Sequence, residues 1–409
     1  MATSKIKCPV EGIVDLDLLP GVPPVKVEAL IDAPEVQRLR RVRQLGFTEY
    51  VYPGATHSRF AHSLGAFQGA QRTLTRLRAV SDRIEDEWFV ATALACLLHD
   101  IGHGPFSHTF ESITGQPHEE RTLELVRRGP AVPDLLTDID VDLVDRVGQL
   151  LTGSLSDPGL GFLADLVSSA LDCDRMDYLR RDALHTGASY GSFDRDWLIR
   201  EMEPDDDGSS IVVIEKGRTA VEQYLIGRYH MFQNVYLHKT SRGFEGAFRS
   251  LCRRVLDLGR DHLPEGSRAF RMLFQDQIGV PEFLSLTDQS FLVELEWLLG
   301  HGDPTVRGLA EALHHRRPLR RENVTGRDAE PVRRERAGIA IDNGLDPDTA
   351  VWVDTAADVP YRPYAPDLAR KGLRIRKPDG SLVDVTELSP TLAALSQRVA
   401  VERVYWLEV

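Results

Sequence analysis

The chain has 409 residues, 42% apolar and 27% charged, with a formal net charge of −13; this is an ordinary globular composition, long enough for two or three structural units around a sizeable core. The acidic balance argues against a broad nucleic-acid footprint, though not against a small anion held by a few local arginines. The longest apolar run, Trp88 to Leu98, is too short to span a bilayer, "MATSKIKCPVEG" has no secretory core, and four scattered cysteines (Cys8, Cys96, Cys173, Cys252) with no CxxC fit reduced thiols in a cytosol.

Residues 1–33, with "DLDLLPGVPP", read as a loop-rich arm or short hairpin. From Pro34, a residue tolerated in a first helical turn, Val36, Leu39, Val42 and Leu45 recur at three-residue steps and predict a helix. Helical patterns continue over about 61–79, 86–100, 118–128, 140–152, 160–183, 218–239 and 243–262, and "DDDGSSIVVIEKG" predicts a turn and a short strand. The arginine-rich "HHRRPLRRENVTGRDAEPVRRERAG" reads as an exposed, solvated linker. Beyond it "AVWVD", "GLRIRKPDGSLVDVTEL" and "ERVYWLEV" are β-rich, with a Pro-Asp-Gly turn that predicts a hairpin. The expected fold is mainly α: an arm to 33, a helical core over 34–262, a helical extension and linker over 263–330, and a small α/β unit over 331–409.

Six of the thirteen histidines fall between His57 and His118, where even spacing would place about two. In "LLHDIGHGPFSH" an adjacent His99–Asp100 pair ends an apolar run, with His103 expected on the same helical face one turn later. A charged carboxylate at an apolar helix end needs a partner, and a metal ion suits imidazole plus carboxylate. "ADLVSSALDCDRMDYLRRDALH" reads as one helix from about 164, with Asp174, Asp177, Tyr178, Arg181 and Asp182 in one stripe that faces a pocket. Upstream, "HSRFAHSLG" places Arg59 and His62 near a helix start. His62, His99, Asp100 and Asp174 would give an N2O2 set with open positions, suited to Mn²⁺, Fe²⁺, Zn²⁺ or a similar ion and to hydrolysis through an activated water.

Five blocks in order, "EVQRLRRVRQLG", "YPGATHSRFAHSLG", "LLHDIGHGPFSH", "DCDRMDYLRRDALHTG" and "GRYHMFQNVYLHK", resemble the HD-domain phosphohydrolases, in particular the dGTPase-like and sterile-alpha-motif/HD-type deoxynucleoside triphosphate triphosphohydrolases. The resemblance covers about residues 30–250. It implies an HD-domain helical core and metal ligands His62, His99, Asp100 and Asp174. His103, His108 and His118 would line the triphosphate side, where Mg²⁺ accompanies the phosphates. His108 paired with an acid, here Glu111 where many relatives have Asp, would drive attack at the α-phosphorus. Arg59 would hold the α-phosphate. Gln44 and Leu45 would lie near base and sugar, Tyr178 and Asp182 at the 3′-hydroxyl, and Arg228 and Tyr236 in the same pocket. Phe232 stands where some relatives have histidine. Asp32, Gln37 and Arg40 match positions that hold an activating guanine nucleotide between subunits of a homo-oligomer.

The implied function is cytoplasmic hydrolysis of a dNTP to deoxynucleoside and inorganic triphosphate. The alternatives are an HD-type dNMP phosphomonoesterase and a low-turnover dNTP-binding sensor or defence component. No GYP motif and no GxxxxGK[ST] occurs, so neither the cyclic-dinucleotide branch nor a P-loop enzyme fits.

Overall fold

The Arg59–Arg78 helix runs through the middle of the core with most of its side chains buried, and Ser58 caps its start by accepting the Ala61 N–H. Asp86–Leu98, buried without interruption from Phe89 onward, packs along it, as does Cys173–Thr186. A Cβ at Gly65 would fall 1.9 Å from Asp177 Oδ1 and 2.3 Å from an Arg181 guanidinium nitrogen. Only glycine there lets the first and last of these helices approach closely. The computed structural model describes residues 5–358, 372–395 and 399–408, and beside the helices they form three small sheets.

Several expected elements come out differently. The helix from Pro34 ends at Gln37 and gives way to a 3₁₀ turn, Arg38–Arg41, after which Val42 is extended. Strand-like pairing wins there. Arg43 bridges Ser58, the Gln44 N–H donates to the His57 carbonyl at 3.1 Å, and the Arg59 N–H donates to the Val42 carbonyl at 2.9 Å. This pairing sets Gln44 and Leu45 beside Arg59. Asp86–Leu98 stops short of 100, so His103 comes from a turn and not from a helix face.

The single helix expected from 164 is two, Gly161–Val167 and Cys173–Thr186. Asp172 breaks it by accepting the N–H groups of Ser169 and Arg175 at 2.8 and 2.6 Å. Asp174 therefore sits in a first helical turn, where unpaired N–H groups and the helix dipole favour a carboxylate. The 218–239 helix is Arg218–Met231 followed by a π turn, Phe232–Tyr236, and Lys239 starts a new helix, Lys239–Leu258. Arg228, Phe232, Tyr236 and Lys239 therefore do not share one continuous helix face. The 140–152 pattern is Leu143–Thr152, preceded by an unforeseen helix, Val132–Ile139.

The N-terminal segment forms an antiparallel hairpin, Lys5–Cys8 with Gly12–Asp15, and a helix, Pro24–Ile31. The arginine-rich stretch read as a linker is folded: Arg320–Asn323 is a strand and Glu330–Asp342 a helix. Ile211–Ile214 pairs in parallel with Arg374–Arg376, which forms the expected hairpin with Leu382–Asp384. Val399–Trp406 lies between Arg320–Asn323 and Val351–Asp358. Sheet pairing thus crosses the lines drawn at 262 and 330. Arg242 of the Lys239–Leu258 helix ties in the last sheet through Asp354, at 3.1 Å from Nε.

Candidate active site

His62 comes from the first turn of Arg59–Arg78, His99 and Asp100 from the end of Asp86–Leu98, and Asp174 from the start of Cys173–Thr186. His62 Nε2 lies 3.3 Å from His99 Nε2 and 2.9 Å from Asp174 Oδ1. His99 Nε2 lies 3.5 Å from Asp174 Oδ1 and 3.4 Å from Asp100 Oδ1. The outer ring nitrogens are engaged: His62 Nδ1 is 2.8 Å from Asp177 Oδ2, and His99 Nδ1 is 2.8 Å from the Cys96 carbonyl. Acceptors at both Nδ1 atoms turn two Nε2 lone pairs toward one point, the arrangement of imidazoles around a cation. Asp177 is itself gripped by Arg181 through two bonds of 2.8 Å.

The electrostatics favour positive charge at this point. Burial opposes a charged His62, yet hydrogen bonds to Asp174 and Asp177 outweigh it and hold its pKa up at about 10. Burial likewise opposes ionised Asp174, but His62 and His99 hold it well below the usual carboxylate range. Asp100 is held low against burial by Arg59, His99 and His103. Two imidazoles and two carboxylates drawn this close fit a divalent ion.

The turns from His99 to Ser107 are stapled from outside. Thr122 Oγ1 donates to the His99 carbonyl at 2.9 Å and accepts the Gly102 N–H at 3.0 Å. A Cβ on Gly102 would strike the His118 carbonyl oxygen at 2.2 Å. Phe106 and Ser107 have φ of 53° and 57°, a region that costs non-glycine residues and persists only where the surroundings impose it. Buried Asp288 imposes it by accepting the Phe106 and Arg43 N–H groups at 2.8 and 2.9 Å, and burial pushes its pKa up to about 6. Arg59 Nε donates to Ser107 Oγ at 2.8 Å and its guanidinium reaches Asp100 Oδ2 at 2.5 Å. Arg38, fully buried, donates to the His103 carbonyl at 2.7 Å. His103, His108 and His118 then present Nδ1 to one atom, Glu111 Oε1, at 3.3, 3.3 and 2.8 Å.

Two cavities meet here. One of about 650 Å³ is lined by His99, Asp100, His103, His118, Asp174 and Arg175 among others. The other, of about 350 Å³, has Leu45, Phe106, Phe232, Tyr236, Leu237 and Asp182 in its wall. Gln44, Arg59, His108 and Tyr178 line both, so they form one cleft with an ionic half and a more apolar half. In the second half Asp182 accepts from Tyr236 Oη at 2.8 Å and lies 2.7 Å from His57 Nε2. His57 is buried and stacks on His185 at 4.4 Å. Tyr178 meets Tyr236 edge-on at 6.1 Å, and burial pushes its phenol up to about 12.

The structure thus gathers the predicted metal, phosphate and sugar residues around one cleft. Arg228 stands behind the lining, its guanidinium 5.5 Å from the Phe232 ring centre and close enough to act electrostatically on Tyr178 and Tyr236. Asp32, Gln37 and Arg40 form a separate chain of hydrogen bonds at the surface. Gln37 Nε2 reaches Asp32 Oδ1 at 3.3 Å, Arg40 Nε reaches Gln37 Oε1 at 2.7 Å, and Arg40 lies over Phe60. The sequence reading gave no site role to Asp177, Arg181, His57, Arg38 or Asp288. The first two carry a signal, an acid and an arginine four apart in the Asp174 stripe. His57 and Arg38 lie inside recognised blocks. Asp288 lies far outside them.

The HD domain matches residues 59–181 and the HD associated region matches 193–402. "Uncharacterized protein YwfO" of Bacillus subtilis is 29% identical over 374 residues, 90% of this chain and 84% of that protein. "Deoxynucleoside triphosphate triphosphohydrolase SAMHD1 homolog" of Dictyostelium discoideum is 32% identical over 231 residues, 53% of this chain but 43% of that protein. A phosphohydrolase crystal structure from Bacteroides thetaiotaomicron superposes with a TM-score of 0.85 at 28% identity, over 99% of this chain and all of that one. Among the described residues no helix is long and apolar enough to cross a membrane. The two family regions span nearly the whole of the chain from the cleft's first helix onward, and the chain belongs to the HD-domain phosphohydrolases.

Proposed function

We propose that this protein is a dNTP triphosphohydrolase, releasing deoxynucleoside and inorganic triphosphate. The observation that carries the reading is the division of the cleft. Its ionic half, with the His62–His99–Asp100–Asp174 centre and the histidine–Glu111 cluster, suits a polyphosphate. Its other half offers Leu45 and Tyr236 as walls and Asp182 as an acceptor for a sugar hydroxyl. A divalent ion at the centre, with Mn²⁺, Fe²⁺ and Zn²⁺ all compatible, supplies Lewis acidity at the α-phosphate.

The chain's own groups do the rest. Arg59, at the junction of the two halves, sits where it can offset charge on the α-phosphate. Glu111 orients His108, which handles the proton as a water oxygen bonds to the α-phosphorus, the bond to the 5′-oxygen breaks, and that oxygen departs as a hydroxyl. Gln44 faces the shared part of the cleft, and Tyr178 and Asp182 bind the 3′-hydroxyl. The Asp32–Gln37–Arg40 patch would take a regulatory nucleotide between subunits of a homo-oligomer in the cytoplasm.

The test is to incubate the protein with each dNTP and Mn²⁺ or Mg²⁺ and identify products by chromatography. Triphosphate in step with deoxynucleoside is expected. Pyrophosphate release would overturn the reading, hydrolysis of dNMP alone would favour a phosphomonoesterase, and tight dNTP binding without turnover would favour a sensor.

A further inference from the structure

We propose that His103, His108, Glu111 and His118 form a second cation site, separate from the His62–His99–Asp100–Asp174 centre, that takes a zinc-like divalent ion and switches the enzyme off when filled. The inhibitory consequence rests on the proposed proton role of His108; the binding itself does not.

Three structural segments bring the donors together: the turn carrying His103, the His108–Thr114 helix carrying His108 and Glu111, and the first residue of His118–Arg128. Their donor atoms all lie within 4.8 Å of one another. Two of the Nδ1-to-Oε1 separations, 3.3 Å each for His103 and His108, match the edge of a coordination tetrahedron, about 3.3–3.6 Å for bonds of roughly 2.0–2.2 Å; the third, His118 at 2.8 Å, is shorter and opens when an ion enters.

Glu111 Oε1, His103 Nδ1 and His118 Nδ1 are buried and make no well-directed hydrogen bond despite their closeness. The His103 and His118 rings are stacked at 3.7 Å with 17° between their planes, so one ring turns when both Nδ1 atoms take the same ion. His103 is 2% exposed, and its other nitrogen, Nε2, lies 3.2 Å from Asp100 Oδ1. That contact holds the ring with Nδ1 facing inward, as an outer carboxylate does for a metal-bound histidine. Three imidazole nitrogens and one carboxylate oxygen suit Zn²⁺ and do not suit Mg²⁺, which prefers oxygen ligands in octahedral array. An ion held here occupies His108 and Glu111 together and removes both from proton handling.

The test starts from the holoenzyme loaded with Mn²⁺ and free of nucleotide. Zn²⁺ is added in increments, excess is removed by desalting, and total bound metal per chain is measured, with Co²⁺ as a second probe whose visible absorption reports tetrahedral geometry. Wild type should retain two equivalents. Glu111→Gln/His118→Ala and His103→Ala should each retain one, which also shows that they are folded with the first centre intact. A wild type that stops at one equivalent, or variants that retain two, would overturn the site. With dNTP added, Zn²⁺ filling of the second site should lower kcat at least about 100-fold, the scale of a lost general acid or base. Two bound equivalents with unchanged turnover would overturn the switch while leaving the site, and absence of dNTP turnover before any Zn²⁺ is added would instead count against the proposed function.

Discussion

At the ionic end of the cleft most side chains are fixed by an opposite charge. His62 is held between Asp174 and Asp177, Asp177 by Arg181, and Asp100 by Arg59. At the other end neutral groups do more of the fixing, with the Tyr236 hydroxyl on Asp182, aromatic edges and the Leu45 side chain, beside His57 on Asp182 and the Arg242–Glu245 pair. Removing a partner therefore has different consequences at the two ends. In the first a buried charge loses its counter-charge and the proposed cation site loses a ligand. In the second a cavity opens and selectivity changes before chemistry fails.

The sharpest way to break the ionic end is Asp100→Ala. It removes a proposed ligand and leaves Arg59 without its carboxylate, so both bound metal and turnover should disappear. Full metal occupancy by elemental analysis in the folded variant would show that Asp100 is not a ligand. Glu111→Gln comes next. It keeps the shape beside His108 but not the charge, and should lower kcat by roughly 10²–10⁴-fold while the first metal stays bound. A smaller change in single-turnover assays would mean that His108 works without Glu111. Asp177→Asn replaces no proposed ligand but alters the group that touches one, His62. It weakens the hold on His62 Nδ1, and metal affinity measured by competition with a chelator should fall about 10- to 100-fold. An unchanged affinity would leave Asp177 as packing for Arg181 alone.

These ends also differ in how well the sequence discloses them. The ionic end is written locally. "HSRFAHSLG" and "LLHDIGHGPFSH" lie in or beside two well-patterned helices, and the charged types are conspicuous against apolar neighbours. What stayed hidden is where continuous periodicity stops. The apolar spacing from Ala164 onward runs straight through Ser168–Asp172, and only the capping role of Asp172 shows that the chain turns there. The three-residue steps after Pro34 look helical because the pairing of residues 42–44 with 57–59 is non-local. The π turn at Phe232–Tyr236 shifts side-chain direction without altering composition. Asp288 holds the strained Phe106–Ser107 turn from 182 residues away, and Ile211–Ile214 finds its parallel partner beyond residue 370. Local types and spacing pointed to a candidate metal centre. Long-range backbone pairing decided how the cleft closes around it.

The smallest expected effect lies at the neutral end, and it separates shape from hydrogen bonding. On the proposed reading the Tyr236 ring, beside Leu45, excludes a ribose 2′-hydroxyl, while its Oη only steadies Asp182. An unpaired buried hydroxyl costs about 1–3 kcal/mol, enough for roughly ten- to hundredfold preference for deoxyribose. Tyr236→Phe keeps the ring and loses the bond to Asp182. It should lower kcat/KM on dNTPs and rNTPs alike, with their ratio unchanged. Tyr236→Ala removes the ring and admits water or the extra hydroxyl, so the dNTP-to-rNTP ratio of kcat/KM should fall by up to about tenfold, or about 1.4 kcal/mol. The competing account is that Tyr236 only packs against Phe232 and Tyr178, at 5.1 and 6.1 Å between ring centres. On that account Tyr236→Ala lowers Tm and leaves the ratio at its wild-type value. If instead the phenylalanine variant alone relaxes the ratio, the sugar is read by the Asp182 hydrogen-bond network and not by the wall, and His57, the other group on that carboxylate, becomes the residue whose loss should reproduce the effect.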